Sequence, residues 1–270
     1  MYYALDLGGT NFRISWLNSL QEIELANNII KIKNTGSYET DSAQILKIMK
    51  AKEEKAEGIV VALPGNFNYE DMVIEQVNNL KSWIDKPFFR NLCTEFNCSV
   101  FVEKDVVVAG FGEGIHNQLQ DKFLYITWGT GISGCLVTTN KNSYPKVKIL
   151  NWRKIFMRIE SLCSGGHATE NFRCPLERLN ENQWSKLINN FVEETIEICT
   201  KLKVEYIVLG GGIVEKKGDI FSLLQQRLGE TGITMVQSPL GDFSGILGGY
   251  SLLQSVTNIN LLIGKPYLLK

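Results

Sequence analysis

The chain opens on Tyr2-Tyr3-Ala4-Leu5-Asp6-Leu7-Gly8-Gly9-Thr10-Asn11, a strand-like run that enters a glycine turn, and alternating apolar residues then predict a returning strand. The two adjacent glycines let the turn present backbone N–H groups to an anion, because no Cβ blocks the approach. Asp6 adds a carboxylate just before the glycines, while Thr10 and Asn11 add a hydroxyl and an amide. These groups together suit a metal-bound polyphosphate.

Two further glycine clusters also end apolar strand patterns. The β-branched and aromatic run 123–127 enters the turn Trp128-Gly129-Thr130-Gly131-Ile132-Ser133-Gly134, and the run 135–139 leaves it as a strand. The third cluster, Gly210-Gly211-Gly212, directly follows the buried-strand pattern of 206–209. A single glycine turn after an apolar strand is common and has no special meaning. Three glycine turns of this kind in one chain favour a phosphate-binding function. The repetition predicts two similar halves that each offer a phosphate loop to one cleft.

Composition limits the classes of function. The 270 residues suit two domains, and 44% hydrophobic with 21% charged residues is a globular balance. The net charge of −1 gives no global electrostatic basis for binding nucleic acid or membranes, and the apolar runs are only strand-length. Six cysteines without C-x-x-C spacing fit reduced thiols in the cytoplasm. Two histidines are too few for a histidine-rich metal site.

Strand patterns alternate with helical patterns after the opening hairpin, which favours a mixed-sheet α/β protein with two domains. The predicted division lies near 105–113, so that 1–108 is a small N-terminal domain and 109–270 a larger C-terminal domain, with the last helix packing back on the first domain. The predicted elements are strands at 58–63, 99–102 and 206–209 and helices at 88–97, 106–117, 184–202, 219–228 and 244–256.

The motifs resemble those of the glucokinases and related ROK (repressor, open reading frame, kinase) sugar kinases, in the superfamily of actin, the heat-shock chaperone ATPases and hexokinase. The resemblance implies a two-domain actin-like ATPase fold, ribonuclease-H-like, with mixed sheets and an interdomain cleft. It rests on eight segments in family order: Asp6-x-Gly8-Gly9-Thr10-Asn11-x-Arg13, Ala62-Leu63-Pro64-Gly65, Asn79-Leu80-x-x-Trp83, Val102-Glu103-Lys104-Asp105 with Gly112-Glu113, 127–134, Glu160 with Ser164-Gly165, 208–213, and Leu240-Gly241-Asp242-x-x-Gly245-x-x-Gly248.

The resemblance implies a role for each candidate site residue. Asp105 is the general base that accepts the proton of the sugar hydroxyl, although an aspartate there also suits the cap of the following helix. Asp6 holds Mg²⁺ against the phosphates of ATP. The residues implied to bind ATP are Gly8, Gly9, Thr10, Asn11, Gly129, Thr130, Gly131, Gly210, Gly211 and Gly212. Those implied to bind the sugar are Gly65, Lys104, Glu160 and His167.

Three departures from the family concern the sugar side and zinc. Lys104 stands where the family usually has an asparagine, and the segment 140–159 contains no Glu or His, so the Glu-x-Gly-His element of the family is missing. The cysteine-rich zinc element is also absent, and we predict no zinc. The segment 141–158 is basic instead; a solvated loop and lysine-protected strand edge is favoured over an anion site.

The predicted function is ATP-dependent phosphorylation of a hexose hydroxyl, with glucose converted to glucose 6-phosphate as the first expectation. An N-acetylmannosamine or N-acetylglucosamine kinase is the alternative within the class. A non-catalytic sugar or nucleotide sensor is the alternative outside it. The expected partner is a small-molecule sugar, with no nucleic acid and no membrane. The resemblance also allows a homodimer, and the choice between ATP and polyphosphate as donor stays open.

Overall fold

The computed structural model describes residues 1–25, 28–116, 122–140, 143–174, 176–216 and 218–263. They form two compact units. Unit 1 comprises Met1–Gly112 with Gly245–Lys270, and unit 2 comprises Glu113–Ser244. The predicted α/β class with mixed sheets is confirmed.

The elements of the N-terminal part alternate between strands and helices after a three-stranded opening. In chain order they are β1 (Tyr2–Leu7), β2 (Asn11–Leu17), a 3-10 helix (Leu20–Leu25), β3 (Ile29–Lys33), α1 (Tyr38–Lys50), β4 (Gly58–Leu63), β5 (Asn66–Asn68), β6 (Val73–Gln76), a 3-10 helix (Lys81–Trp83), α2 (Phe88–Phe96), β7 (Ser99–Lys104) and α3 (Asp105–His116). The division between the units falls inside α3.

The elements of unit 2 follow a similar plan. They are β8 (Lys122–Trp128), β9 (Ile132–Asn140), β10 (Ser143–Ile149), α4 (Trp152–Ile155), α5 (Met157–Cys163), α6 (Gly165–Phe172), a 3-10 helix (Leu176–Arg178), α7 (Glu181–Leu202), β11 (Tyr206–Gly210), α8 (Gly212–Lys216), α9 (Gly218–Gly229), β12 (Thr234–Gln237) and a 3-10 helix (Gly241–Phe243). The last helix, α10 (Ser244–Ile263), belongs almost wholly to unit 1.

The two main sheets repeat one topology. Unit 1 has the order β3-β2-β1-β4-β7 and unit 2 the order β10-β9-β8-β11-β12. In each sheet the first three strands are antiparallel neighbours and the last three run parallel. The expected pair of similar halves is therefore present. The carboxyl ends of the parallel strands lie at one edge of each sheet, which is where ligands bind in open α/β sheets.

The central strands of the sheet in unit 1 pack on both faces, since β4 is apolar at every position and β1 at every position except Asp6. On β1, Tyr3 and Leu5 enter the core with α2, whereas Ala4 enters a second core with Tyr250 of α10. A glycine on α10 lets this helix pack closely against α3. A Cβ at Gly248 would stand 2.0 Å from the carbonyl oxygen of Val108, so only glycine fits there.

The core of unit 2 lies between its sheet and α7. Trp128 at the end of β8 stacks on Phe191 of α7, with ring centroids 4.2 Å apart, and the indole N–H donates to the carbonyl oxygen of Cys163 at 2.8 Å. The end of β8 is therefore fixed from two sides. This matters because the second glycine turn begins at the next residue.

The basic segment supplies a strand and two helices. Lys146 and Lys148 are exposed on β10, an edge strand, as the strand-edge interpretation predicts. Arg158 reaches α7, where it pairs with Glu194 at 2.9 Å. Lys141 lies outside the described residues. No helix within the described ranges is both long and apolar enough to cross a membrane.

Candidate active site

Asp105 begins α3 directly after the parallel strand β7, at the sheet edge of unit 1 where the carboxyl ends of the parallel strands lie. The carboxylate is half-buried and accepts a hydrogen bond from the backbone N–H of Val106 at 2.7 Å. Desolvation raises the pKa of Asp105 to about 6, helped by the negative charge of Asp6, while the Val106 N–H and the charge of Lys104 act in the opposite direction. A carboxylate with this pKa is suited to accept a proton near neutral pH, and it can still cap α3.

Asp6 lies near the end of β1 in the same unit. Its Oδ2 pairs with the Arg13 guanidinium at 3.0 Å, and both side chains are largely buried, at 14% and 16% exposed. The two residues are cross-strand partners, so the hairpin itself sets this pair. A Cβ at Gly245 would stand 2.9 Å from Cγ of Asp6, so glycine allows the N-terminal turn of α10 to approach the carboxylate.

The first glycine turn is held by backbone and asparagine contacts. The N–H of Gly8 donates to the carbonyl oxygen of Asn11 at 3.1 Å. The side-chain amide of Asn34 donates to the carbonyl oxygen of Gly9 at 2.8 Å. The backbone N–H of Asn34 donates to the carbonyl oxygen of Thr10 at 3.0 Å. A Cβ at Gly9 would lie 2.5 Å from Cβ of Asn79. The Asn79-Leu80 motif thus has a structural role, since Asn79 packs against the turn and allows only glycine opposite it.

Gly65 and Lys104 lie together because β4 and β7 pair in parallel, with Leu63 opposite Lys104. Gly65 has φ +88°, and a Cβ there would stand 2.2 Å from the carbonyl oxygen of Gln76, so this turn requires glycine. Lys104 Nζ donates to Oδ1 of Asn66 at 3.3 Å. Sequence reasoning missed Asn66, although it directly follows Gly65. The structure thus gives Lys104 a partner across the sheet edge.

In unit 2, the second glycine turn is clamped by the N-terminus of α6. The N–H groups of Gly165 and Gly166 donate to the carbonyl oxygens of Gly129 and Thr130, each at 2.9 Å. A Cβ at Gly165 would stand 2.9 Å from the Gly129 oxygen, so the clamp depends on glycine. Among the residues that the structure describes, apart from its chain neighbours, none would lie within 4 Å of a Cβ at Gly129 itself. That side of the turn is open to a ligand.

Glu160 and His167 lie on the two helices that flank this turn. Oε2 of Glu160 accepts hydrogen bonds from the backbone N–H of Ile132 at 3.0 Å and from the indole N–H of Trp152 at 3.1 Å. His167 lies in the first turn of α6, where Nδ1 is 3.0 Å from Oγ of Ser164, the buried N-cap residue. Both residues are half-buried. Sequence reasoning missed Trp152.

The third glycine cluster lies beside the second because β11 pairs with β8. Gly211 has φ +101°, and a Cβ there would stand 2.5 Å from the Trp128 carbonyl oxygen. A Cβ at Gly212, which begins α8, would meet no atom within 4 Å in the described part of the chain beyond its two neighbours. The turn is supported by Ser238, which donates to the buried carboxylate of Glu113 and accepts from the Gly241 N–H at 2.9 Å. Sequence reasoning missed this support as well.

The predicted residues therefore fall into two sets. Unit 1 gathers Asp6, 8–11, Gly65, Lys104 and Asp105 at the ends of β1, β4 and β7, and unit 2 gathers 129–131, Glu160, His167 and 210–212 around the ends of β8 and β11. Within the described part of the chain, no three His, Cys, Asp or Glu side chains group as a metal site. Mg²⁺ does not require such a group, because one or two carboxylates, phosphates and waters commonly complete its shell.

Comparisons with known proteins agree on one family and one fold. The model of the ROK family matches residues 2–144. An N-acetyl-D-glucosamine kinase of Histophilus somni (strain 129Pt) is 24% identical over 308 aligned positions, covering 94% of this chain and 99% of that protein. The inorganic polyphosphate/ATP-glucomannokinase of Arthrobacter sp. strain KM superimposes with a TM-score of 0.73 at 18% identity, covering 94% and 98% of the two chains. The ROK glucokinase of Streptomyces griseus, solved with glucose and AMPPNP, gives 0.67 at 15% identity, covering 93% and 98%. The two structural matches show the fold.

Proposed function

The chain belongs to the ROK family, and we propose on this basis that it is an ATP-dependent kinase that phosphorylates a hydroxyl group of a hexose. The observation that carries the proposal is Asp105, a half-buried carboxylate at the end of β7 whose pKa is raised to about 6. Phosphoryl transfer needs a positioned base for the attacking hydroxyl and charge stabilisation for the phosphates. The polar groups around Asp105 in unit 1 suit the sugar, and the glycine turns suit the phosphates.

The donor we propose is ATP with Mg²⁺. The turn 8–11 and the turn 129–131 bind phosphates through backbone N–H groups, and 210–212 leaves space for the nucleoside. The space beside Gly129 and Gly212 supports this assignment, because a Cβ at either position would have no described atom within 4 Å except those of its chain neighbours. Asp6, oriented by Arg13, is the carboxylate that would hold Mg²⁺. When bound, the ion neutralises charge on the phosphate oxygens. Polyphosphate is the second donor to be tested, because the Arthrobacter enzyme is named for both.

Two sugars are candidates for the acceptor. The H. somni relative, which spans nearly the whole chain, is an N-acetyl-D-glucosamine kinase and favours that sugar. The Arthrobacter glucomannokinase and the S. griseus glucokinase favour glucose. We place N-acetylglucosamine first because the match is by sequence and covers 94% of the chain. Gly65, Lys104, Glu160 and His167 are the residues we propose to contact it.

The proposal is tested by measuring ADP release with Mg-ATP across glucose, mannose, N-acetylglucosamine and N-acetylmannosamine. We expect turnover that requires a sugar and falls about 10²- to 10⁴-fold in Asp105→Asn, which keeps the size of the side chain but removes the base. Asp85→Asn is the matched control, an aspartate of the same unit outside the site. Hydrolysis of ATP that ignores the sugar, or sugar binding without turnover, would instead support the sensor interpretation.

Two further properties form part of the proposal. Six free cysteines suit a reducing compartment, so we place the enzyme in the cytoplasm. A homodimer follows from the resemblance alone, and light scattering of the purified chain tests it. A monomer that turns over sugar at full rate would remove the dimer from the proposal without affecting the kinase activity.

A further inference from the structure

The segment that replaces the Glu-x-Gly-His element of the family is anchored at both ends. Leu150 is 8% exposed and Phe156 is fully buried, and both enter the core of unit 2. A Cβ at Gly134 would stand 2.5 Å from Cζ of Phe156, so the ring fills the space that glycine leaves on β9. Between the anchors, Oδ1 of Asn151 caps α4 by accepting from the backbone N–H of Lys154 at 3.1 Å. Trp152 therefore lies on a short segment of defined conformation.

The side chain of Trp152 is bonded at one edge and open elsewhere. Its indole N–H donates to Oε2 of Glu160, and the same oxygen accepts from the backbone N–H of Ile132. Oε1 of Glu160 makes no hydrogen bond to any residue that the structure describes. Trp152 is 37% exposed, so part of this large apolar side chain faces solvent. Two donors thus fix one carboxylate oxygen while the other keeps its capacity to accept.

We propose that Trp152 is a sugar-positioning residue that takes over from the missing histidine of the family element. This inference rests on the kinase function proposed above. Trp152 holds Glu160 so that Oε1 accepts a hydrogen bond from a sugar hydroxyl, and the exposed indole covers an apolar C–H face of the pyranose ring. A carboxylate beside an aromatic plane matches a neutral sugar, which carries hydroxyl donors at its edge and C–H groups on its faces. Ligand pockets commonly combine aromatic walls with a few placed polar groups.

The experiment compares two variants that separate the hydrogen bond from the aromatic surface. Trp152→Phe removes the indole N–H and keeps a ring, and we expect the KM for the sugar to rise about tenfold, as loss of a bond to a charged group predicts. Trp152→Ala removes the ring as well and raises the sugar KM further. In both variants the KM for ATP stays within about twofold, because no interaction with the nucleotide is removed. Met157→Ala, which truncates another exposed apolar side chain nearby, is the control and leaves both KM values unchanged.

A second readout does not depend on turnover. We expect sugar binding to change the intrinsic tryptophan fluorescence of the wild-type chain, and we expect this change to be retained in Trp16→Phe and lost in Trp152→Phe. If the wild type shows no turnover, the kinase proposal is contradicted. The fluorescence change on addition of sugar still tests the role of Trp152 in that case. An unchanged sugar KM and fluorescence response in Trp152→Phe overturns the inference. So does a change confined to the KM for ATP or to the oligomeric state.

Discussion

Asp105 and Asp6 are two carboxylates of one unit, and the charge of one acts on the other: burial raises the pKa of Asp105 to about 6, and the negative charge of Asp6 acts in the same direction. Asp6 lies near the end of β1, and Asp105 directly follows β7. These two strands lie on either side of β4 and run parallel to it. Asp6 is neutralised in part by Arg13, whereas Asp105 is bonded to a neutral backbone N–H. These different environments support the proposal that Asp6 holds Mg²⁺ and that Asp105 accepts the proton.

The rate of the proposed reaction should depend on pH through Asp105. A general base must be deprotonated, so kcat/KM for the sugar is expected to fall as pH drops through about 6. The measurement is a rate profile from pH 5 to 8.5 with saturating Mg-ATP. A profile that stays flat down to pH 5 would contradict the assignment of Asp105 as the base.

The same raised pKa predicts how stability varies with pH. An ordinary aspartate has a pKa near 3.9, so between about pH 4 and 6 the folded protein holds a proton that the unfolded chain has lost. The contribution of Asp105 to stability is therefore greatest below this window and is lost as pH rises through about 6. Asp105→Asn should melt at a higher temperature than the wild type at pH 7.5, and the difference should vanish near pH 4. An equal shift at both pH values would point to packing instead of charge.

Much of the fold could be predicted because its strands carry strong local signals. Gly58–Leu63 is apolar at every position. The hairpin around Gly8 and Gly9 is predicted from neighbouring residues alone, because its two strands and their turn are consecutive in the chain. β12 is only four residues long and α4 is also four, and segments so short have little periodicity to detect. The register of β10 on β9, with its irregularity between Ser143 and Lys146, also left no signal in the sequence.

The candidate site also contains features that have a local sequence signal and features that have none. Glycines that require a positive φ or close contact, such as Gly211, follow apolar strands and are visible as motifs. Side-chain pairs that join distant segments are not visible, because nothing in either segment specifies the other. Lys104 with Asn66, and Trp152 with Glu160, are of this kind. The predicted residues were thus placed at the expected strand ends, while their supporting contacts had to come from the structure.

Gly211 and Gly212 should respond to alanine in different ways. In Gly211→Ala the new Cβ meets the backbone of Trp128 at a φ of +101°, so we expect a loss of stability of about 3 kcal/mol or more. In Gly212→Ala the Cβ comes within 4 Å of no described residue beyond its chain neighbours, so stability should change by less than about 1 kcal/mol. Urea unfolding of both variants measures the difference. Equal losses would mean that the contact of Gly211 with Trp128 does not shape the turn.

The open face of Gly129 provides a test of phosphate binding. Gly129→Ala adds a methyl group where no described residue other than the chain neighbours lies within 4 Å, so the melting temperature should stay close to that of the wild type. If the donor phosphates approach that face, the KM for ATP should rise about tenfold or more, because the methyl group blocks close approach to the backbone. Gly229→Ala, an equally open glycine at the end of α9, is the control. Unchanged affinity for ATP in Gly129→Ala would remove this turn from the donor site.

Lys104 should lower the pKa of Asp105 as well as contact the sugar. Its positive charge lowers the pKa of Asp105, against the larger effect of burial. In Lys104→Asn this charge is lost and the family amide returns, so the acid limb of the rate profile should move to higher pH. The sugar KM should change in the same variant, since an amide both donates and accepts hydrogen bonds whereas an ammonium only donates. Lys86→Asn, which removes an exposed lysine paired with Glu39, should leave both quantities unchanged. If the limb does not move in Lys104→Asn while the sugar KM does, Lys104 acts on the sugar alone and not through the base.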